Sequence, residues 1–345
     1  MKKWVINITK YVIFLAIGIF LFWYLYKDYP FDDFIKSLKE INYFWIAVSI
    51  TLGILSQVSR AIRWNMLIRP LGYNPRFHNT FLSVLVLYLV NLIAPRAGEV
   101  ARCTVLSRYE KIPFVKLVGT VFVERMADMI TLFILAVIII SSQLNIFVRF
   151  FDMHPEMKAN LTNLLSLKNV VIGLSGLLMI FLVYILVRKY FRNKKGETSN
   201  SFISKLKSLK YNFIEGIRSI LKLENKWYFI GHTMFIFLMW LLMLYVIFLA
   251  FPPTAHLSIW TGMITFLMGG LAMLAPVQAG IGAWHFMVFE TLFIYGINKT
   301  DGQAFALLAH ATTNLIYLIL GAIALILLPI LNSKRTSKKV ALTIE

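Results

Sequence analysis

Apolar residues in this chain come in runs longer and more continuous than a soluble core uses, and the polar positions between them mark where each run stops. The runs at about 11–26, 43–59, 117–141, 169–187, 227–251 and 304–330 approach the length that a helix needs to cross a hydrocarbon core of about 30 Å, and predict six full spans. Two further runs are interrupted. Thr80 to Ala94 makes a helix of only about 22 Å, short for a crossing, and stops at a break carrying Pro95 and Gly98 within NLIAPRAGEVAR. The segment 258–297 is broken in the same way at LAPVQAGIG, which carries Pro276, Gly280 and Gly282. A broken membrane helix is tolerated where its freed backbone groups face protein or water, so each break is a candidate cavity wall.

Charge orients these elements. The loop KDYPFDDFIKSLKE after the first span has one net negative charge and reads as external, whereas Arg60, Arg63, Arg69 and Arg76 after the second span have no acid among them and read as a cytoplasmic loop. A full crossing by Thr80–Ala94 would carry the basic segment Arg102 to Lys116 outside; a re-entrant hairpin that returns by about Tyr109 removes the conflict. The outer loop 142–168 is mixed in charge, and residues 188–226 hold eleven Lys or Arg against three Glu, the strongest cytoplasmic signal. Within it, Phe202, Leu206, Leu209, Phe213, Ile217 and Ile220 recur at helical spacing among lysines, which predicts a basic amphipathic helix over about 200–223. That periodicity serves a helix on the inner leaflet or one packed on other loops. The second broken element then enters and leaves from outside. Span two, a hairpin and span three (about 43–141) are mirrored by span five, a hairpin and span six (about 227–330), an inverted repeat of the transporter kind. The expected fold is an all-α polytopic membrane protein, one transmembrane domain over 1–331 with a tail at 332–345, in a bacterial-type plasma membrane with both termini cytoplasmic.

Composition agrees: 59% of the residues are hydrophobic. The net charge of +19 is accounted for by Lys and Arg just beyond the spans, which argues against a nucleic-acid partner. A single cysteine, Cys103, excludes an intrachain disulfide. No small-residue cleavage site follows the first apolar run, which is expected to stay as a span.

The candidate chemistry sits at the breaks. Half-helices restarting after Gly98 and Gly280 would present unpaired N–H groups and a partial positive charge, a site for an anion such as a phosphate. Around the first lie Arg96, Glu99 and Arg102 from the hairpin and Glu124, Arg125 and Asp128 from span three, three charges of each sign. Unpaired at membrane depth each would cost about 2.5 kcal/mol or more, so they are expected to pair, pinning the hairpin or lining a polar cavity. In the second repeat His285, His310 and Asn314 stand near the corresponding places, and Gln278 sits in the turn, either to bind a ligand or to satisfy the broken backbone. Two histidines without a cysteine or acid cluster make no metal site, and no cofactor is expected.

The pattern Ala94-Pro95-Arg96-Ala97-Gly98-Glu99 with Arg102, then Glu124-Arg125 and Asp128, then Pro276 with Gly280 and Gly282, resembles the transmembrane domain of lysylphosphatidylglycerol synthases and the flippase-like family that shares it. The resemblance implies movement of lipids or lipid-linked molecules between leaflets. It also implies an acid and an arginine where this chain has His285 and His310, which leaves the pair as a candidate pH-sensitive contact. The soluble domain that transfers an aminoacyl group from transfer RNA is not expected here, so the chain is read as no enzyme, with a separately encoded synthase and a homo-oligomer as compatible partners. The leading expectation is a flippase for an anionic or aminoacylated phospholipid or a lipid-linked intermediate, with no ATPase motif and with Arg96, Arg102 and Arg125 on a headgroup phosphate. Two rivals stand beside it: a membrane enzyme using Asp32 and Asp33 in the first outer loop, and a non-transporting scaffold.

Overall fold

The computed structural model describes residues 19–341 apart from 21, 28, 95, 165, 167–200, 274 and 276. Most of the first span, the whole fourth span, and the turn prolines Pro95 and Pro276 therefore lie outside the described residues. The chain forms two compact units, residues 1–139 with 211–345, and residues 140–210.

Every regular element among the described residues is helical. Besides three short 3-10 turns, the α-helices in order are α1 (Phe31–Glu40), α2 (Tyr43–Ile68), α3 (Phe77–Ile93), α4 (Gly98–Glu110), α5 (Phe114–Ser142), α6 (Leu144–Met153), α7 (Pro155–Leu164), α8 (Ser201–Arg218), α9 (Lys226–Ala250), α10 (Ile259–Ala272), α11 (Ala283–Ile294) and α12 (Lys299–Ala341). Segments Tyr43–Leu71, Lys226–Ala250 and Lys299–Ser333 are long and apolar enough to cross a membrane, and α5 continued by α6 is a fourth candidate. Large apolar side chains stay exposed along them, such as Phe133 on α5 and Ile319 and Ile326 on α12, as a lipid solvent allows.

Both predicted hairpins are present. Helices α3 and α4 are 17 and 13 residues long, α10 and α11 are 14 and 12. At about 1.5 Å per residue none of the four reaches about 30 Å. Both tips put a non-glycine residue in the left-handed region, Arg96 at φ 62° and Ala279 at φ 49°. At Gly98 a Cβ would run into the Leu87 carbonyl and the Asn91 side chain, which is why the returning arm of the first hairpin starts on glycine.

The repeats run in opposite directions. Helices α2 and α9, which lead them, are antiparallel neighbours: Asn42 N donates to Ala250 O at 2.9 Å, Ser49 Oγ to Met243 O at 2.9 Å, Trp240 Nε1 to Ser56 Oγ at 3.1 Å, and Arg63 Nη1 to Thr233 Oγ1 at 3.0 Å. Helix α12 lies antiparallel along α3, with Tyr88 stacked on Tyr317 at 4.2 Å and Asn332 Nδ2 donating to Asn79 Oδ1 at 2.8 Å. The hairpins meet tip to tip, where Gln278 Nε2 donates to Ile93 O at 2.7 Å. At the basic end Arg76 and Asn79 bond to Glu110 and to Asn332, which ties α3, α4 and α12 together.

Several boundaries differ from expectation. The second span does not stop at residue 59: α2 continues to Ile68 and takes Arg60 and Arg63, expected in a loop, into the interior, where carboxylates from α5 compensate them. The outer loop 142–168 contains α6 and α7. Helix α8 confirms a helix in the basic segment, but its C-terminal end docks on α5. The two backbones meet at Gly119 and Gly216, where a Cβ on Gly216 would lie 2.5 Å from the Lys116 carbonyl, and Lys116 Nζ is 2.9 Å from Glu215. Ile217 and Ile220 pack there against Leu67, Val123 and Phe229. In the smaller unit, the Phe150 and His154 rings sit 4.7 Å apart and Lys158 pairs with Asp152 at 2.7 Å.

Candidate functional site

A stripe of polar side chains runs down one face of α2: Ser49, Ser56, Ser59, Arg60 and Arg63, all buried. Helical spacing brings the two arginines opposite Glu124 and Asp128 of α5, and the returning arm α4 closes the third side with Glu99 and Arg102. Glu124, itself fully buried, is the centre. Its Oε1 accepts from Arg60 Nε at 2.9 Å, Arg63 Nη2 at 3.1 Å and Arg125 Nη2 at 2.8 Å, and its Oε2 from Arg102 Nη1 at 3.0 Å. Asp128 Oδ1 accepts from Arg63 Nη1 at 2.7 Å, and its Oδ2 forms an ion pair with Arg125 Nη2 at 2.8 Å. Glu99 is held by ion pairs outside hydrogen-bond geometry, with Arg102 Nε at 2.7 Å, Arg125 Nε at 3.5 Å and Arg60 Nη2 at 3.7 Å.

The cluster thus holds four guanidinium groups and three carboxylates, one net positive charge, rather than the balanced three and three expected. The difference is Arg60 and Arg63, which replace Arg96; Arg96 itself is exposed at the hairpin tip. Charges this deep persist only when paired, and here each pairs more than once. Aromatic faces add to the pairing, with the Arg102 guanidinium 4.5 Å from the Trp64 ring and Arg60 over Tyr88. Trp64 is fixed by donating Nε1 to Thr120 Oγ1 at 2.9 Å. From Arg60 a polar path leads through the Tyr88 hydroxyl and its stacked partner Tyr317, whose hydroxyl accepts from Gln57 Nε2 at 3.1 Å. The signal for Arg60 and Arg63 was in the sequence, since the serines precede them on the same helical face; Tyr88 and Tyr317 had none.

At each helix start one backbone N–H is taken by a side chain of the same hairpin. Gly98 N donates to Asn91 Oδ1 at 2.9 Å, and Gly282 N to His285 Nδ1 at 3.3 Å, so each hairpin caps its own returning arm at that donor. Gln278 satisfies the other hairpin's broken backbone. His310 donates Nε2 to Ala279 O at 2.8 Å and accepts from Asn314 Nδ2 at Nδ1, 3.0 Å, the pattern of a neutral ring. His285, 4.4 Å away ring to ring, is buried against Phe22 and Tyr26 and accepts at Nδ1. Both rings thus hold the second turn. Gly280 and Gly282, at φ 72° and 82°, form that turn. Asp32 and Asp33 fall in the first turn of α1, where acids favour a helix start.

A model of the lysylphosphatidylglycerol synthase TM region matches residues 11–321. The chain is 36% identical over 126 residues to a UPF0104 membrane protein of Methanocaldococcus jannaschii, an overlap of 36% of this chain and 38% of that relative. The match thus spans about two fifths of the curated relative. No solved structure matches the chain.

Proposed function

From the premise that this chain belongs to the lysylphosphatidylglycerol synthase TM-region family, we propose that it moves a phospholipid or lipid-linked anionic molecule between leaflets. The headgroup passes the charged cluster formed by α2, α4 and α5 while the acyl chains stay in lipid. The observation that carries this reading is the cluster centred on Glu124: seven ionisable side chains from α2, α4 and α5, with Glu99 and Arg125 left at an accessible edge, 26% and 34% exposed. A cluster meant only to pin helices has no need of half-open members or of a surplus positive charge. Motion is a rocking of one repeat against the other about the Gln278–Ile93 contact. The chain itself catalyses no covalent step, and its membrane is a plasma membrane with both termini on the basic side.

Leaflet exchange of labelled phospholipids in proteoliposomes tests this. Exchange above protein-free vesicles supports it, and none across anionic, zwitterionic, aminoacylated and polyprenyl-linked lipids removes it. Replacing Asp32 and Asp33 by Asn should leave exchange unchanged; lost function there would favour the membrane-enzyme rival.

A further inference from the structure

Glu99 differs from the other two acids of the cluster in how it is held. Glu124 lies in mid-helix, fully buried, under four guanidinium groups, and Asp128 is nearly buried beside it. Glu99 stands in the first turn of α4, just after the hairpin tip, at the accessible edge. Its two oxygens meet three guanidinium groups, Oε2 that of Arg102 and Oε1 those of Arg125 and Arg60. Two anionic oxygens on one central atom, each facing guanidinium groups, are also what a phosphate ester presents with its non-bridging oxygens, on a tetrahedral centre.

A second observation points the same way. Arg102 is fully buried, and its Nη2 has no hydrogen-bond partner among the described residues. A buried guanidinium donor without an acceptor, in a cluster with one net positive charge, leaves capacity for a further anion.

We propose that the Glu99 carboxylate is a built-in stand-in for a substrate phosphate: a phosphate-ester oxyanion seats on Arg102, Arg60 and Arg125 by displacing Glu99, while Glu124 stays in place to hold the arginines. This rests on the cluster being the headgroup site. It assigns Glu99 the role of competitor, so that neutralising it strengthens phosphate binding. If Glu99 instead received a cationic headgroup, neutralising it would weaken binding.

The test titrates the purified full-length chain with inorganic phosphate, with a short-chain phosphatidylglycerol and with the matching short-chain diacylglycerol. Trp64, beneath the Arg102 guanidinium, reports the event as the fluorescence difference from a Trp64→Phe counterpart, and the rise in unfolding midpoint is a second readout. Glu99→Gln, which keeps the side-chain shape, should bind both phosphate-bearing probes about tenfold tighter and the diacylglycerol no better. Adding Arg102→Lys, which keeps charge but removes the fork, should abolish the gain. Unchanged or weaker phosphate binding in Glu99→Gln, or an equal gain with diacylglycerol, overturns the proposal. A gain for inorganic phosphate alone leaves the stand-in role of Glu99 standing and overturns the lipid reading.

Discussion

At the scale of single residues, the interior is governed by how Glu124 compensates four arginines. Removing its carboxylate leaves buried guanidinium groups without their shared partner, so Glu124→Ala should destabilise the fold by about 3 to 5 kcal/mol, read as a lower thermal midpoint in detergent. Gly98→Ala should cost about 1 to 3 kcal/mol, because the new methyl meets a carbonyl that the hairpin cannot move aside. Ala279→Gly relieves a left-handed φ and should be neutral or stabilising. The acids and Arg102 were legible in the sequence because charges inside apolar runs are conspicuous. Arg60 and Arg63 were not, since they follow an apolar run of plausible length and look like the first charges of a loop. Only their shared face with Ser49, Ser56 and Ser59 distinguishes them, and a residue-by-residue hydropathy reading passes over a face.

At the scale of elements, the two broken helices were legible from length and from the doubled Ala-Pro step, because a helix too short to cross must either turn back or stay buried. What the tips do to each other was not legible, as a contact between residues 93 and 278 leaves no local pattern. Gln278→Leu leaves the Ile93 carbonyl unsatisfied at that contact and should cost about 1 to 3 kcal/mol, again read as the thermal midpoint. Helix α8 had two readings with one periodicity, and the glycine pair adds a contact that neither named, its C-terminal end packed on the span α5. Gly216→Val cannot keep the approach to Gly119, so α8 should become a site of rapid proteolysis while the unfolding of the remaining helices changes little.

At the scale of the whole molecule, two oppositely oriented repeats are packed along α2 and α9, yet they differ in chemistry. The first is charged around Glu124; the second replaces charge by the neutral His285–His310 pair and aromatic packing. On the proposed function, that asymmetry assigns the headgroup to the charged first repeat, while in the second the two histidines hold their own turn. In the proposed function the charged cluster is the path of the headgroup. The direct measurement is leaflet exchange in proteoliposomes of the unaltered chain, of Arg125→Ala, and of Arg69→Ala as a basic residue outside the cluster, each checked for folding. Exchange is expected with the unaltered chain and with Arg69→Ala, and a loss of about tenfold or more with Arg125→Ala, on the order of one charge-assisted contact. Exchange that persists undiminished in a folded Arg125→Ala protein would contradict that path.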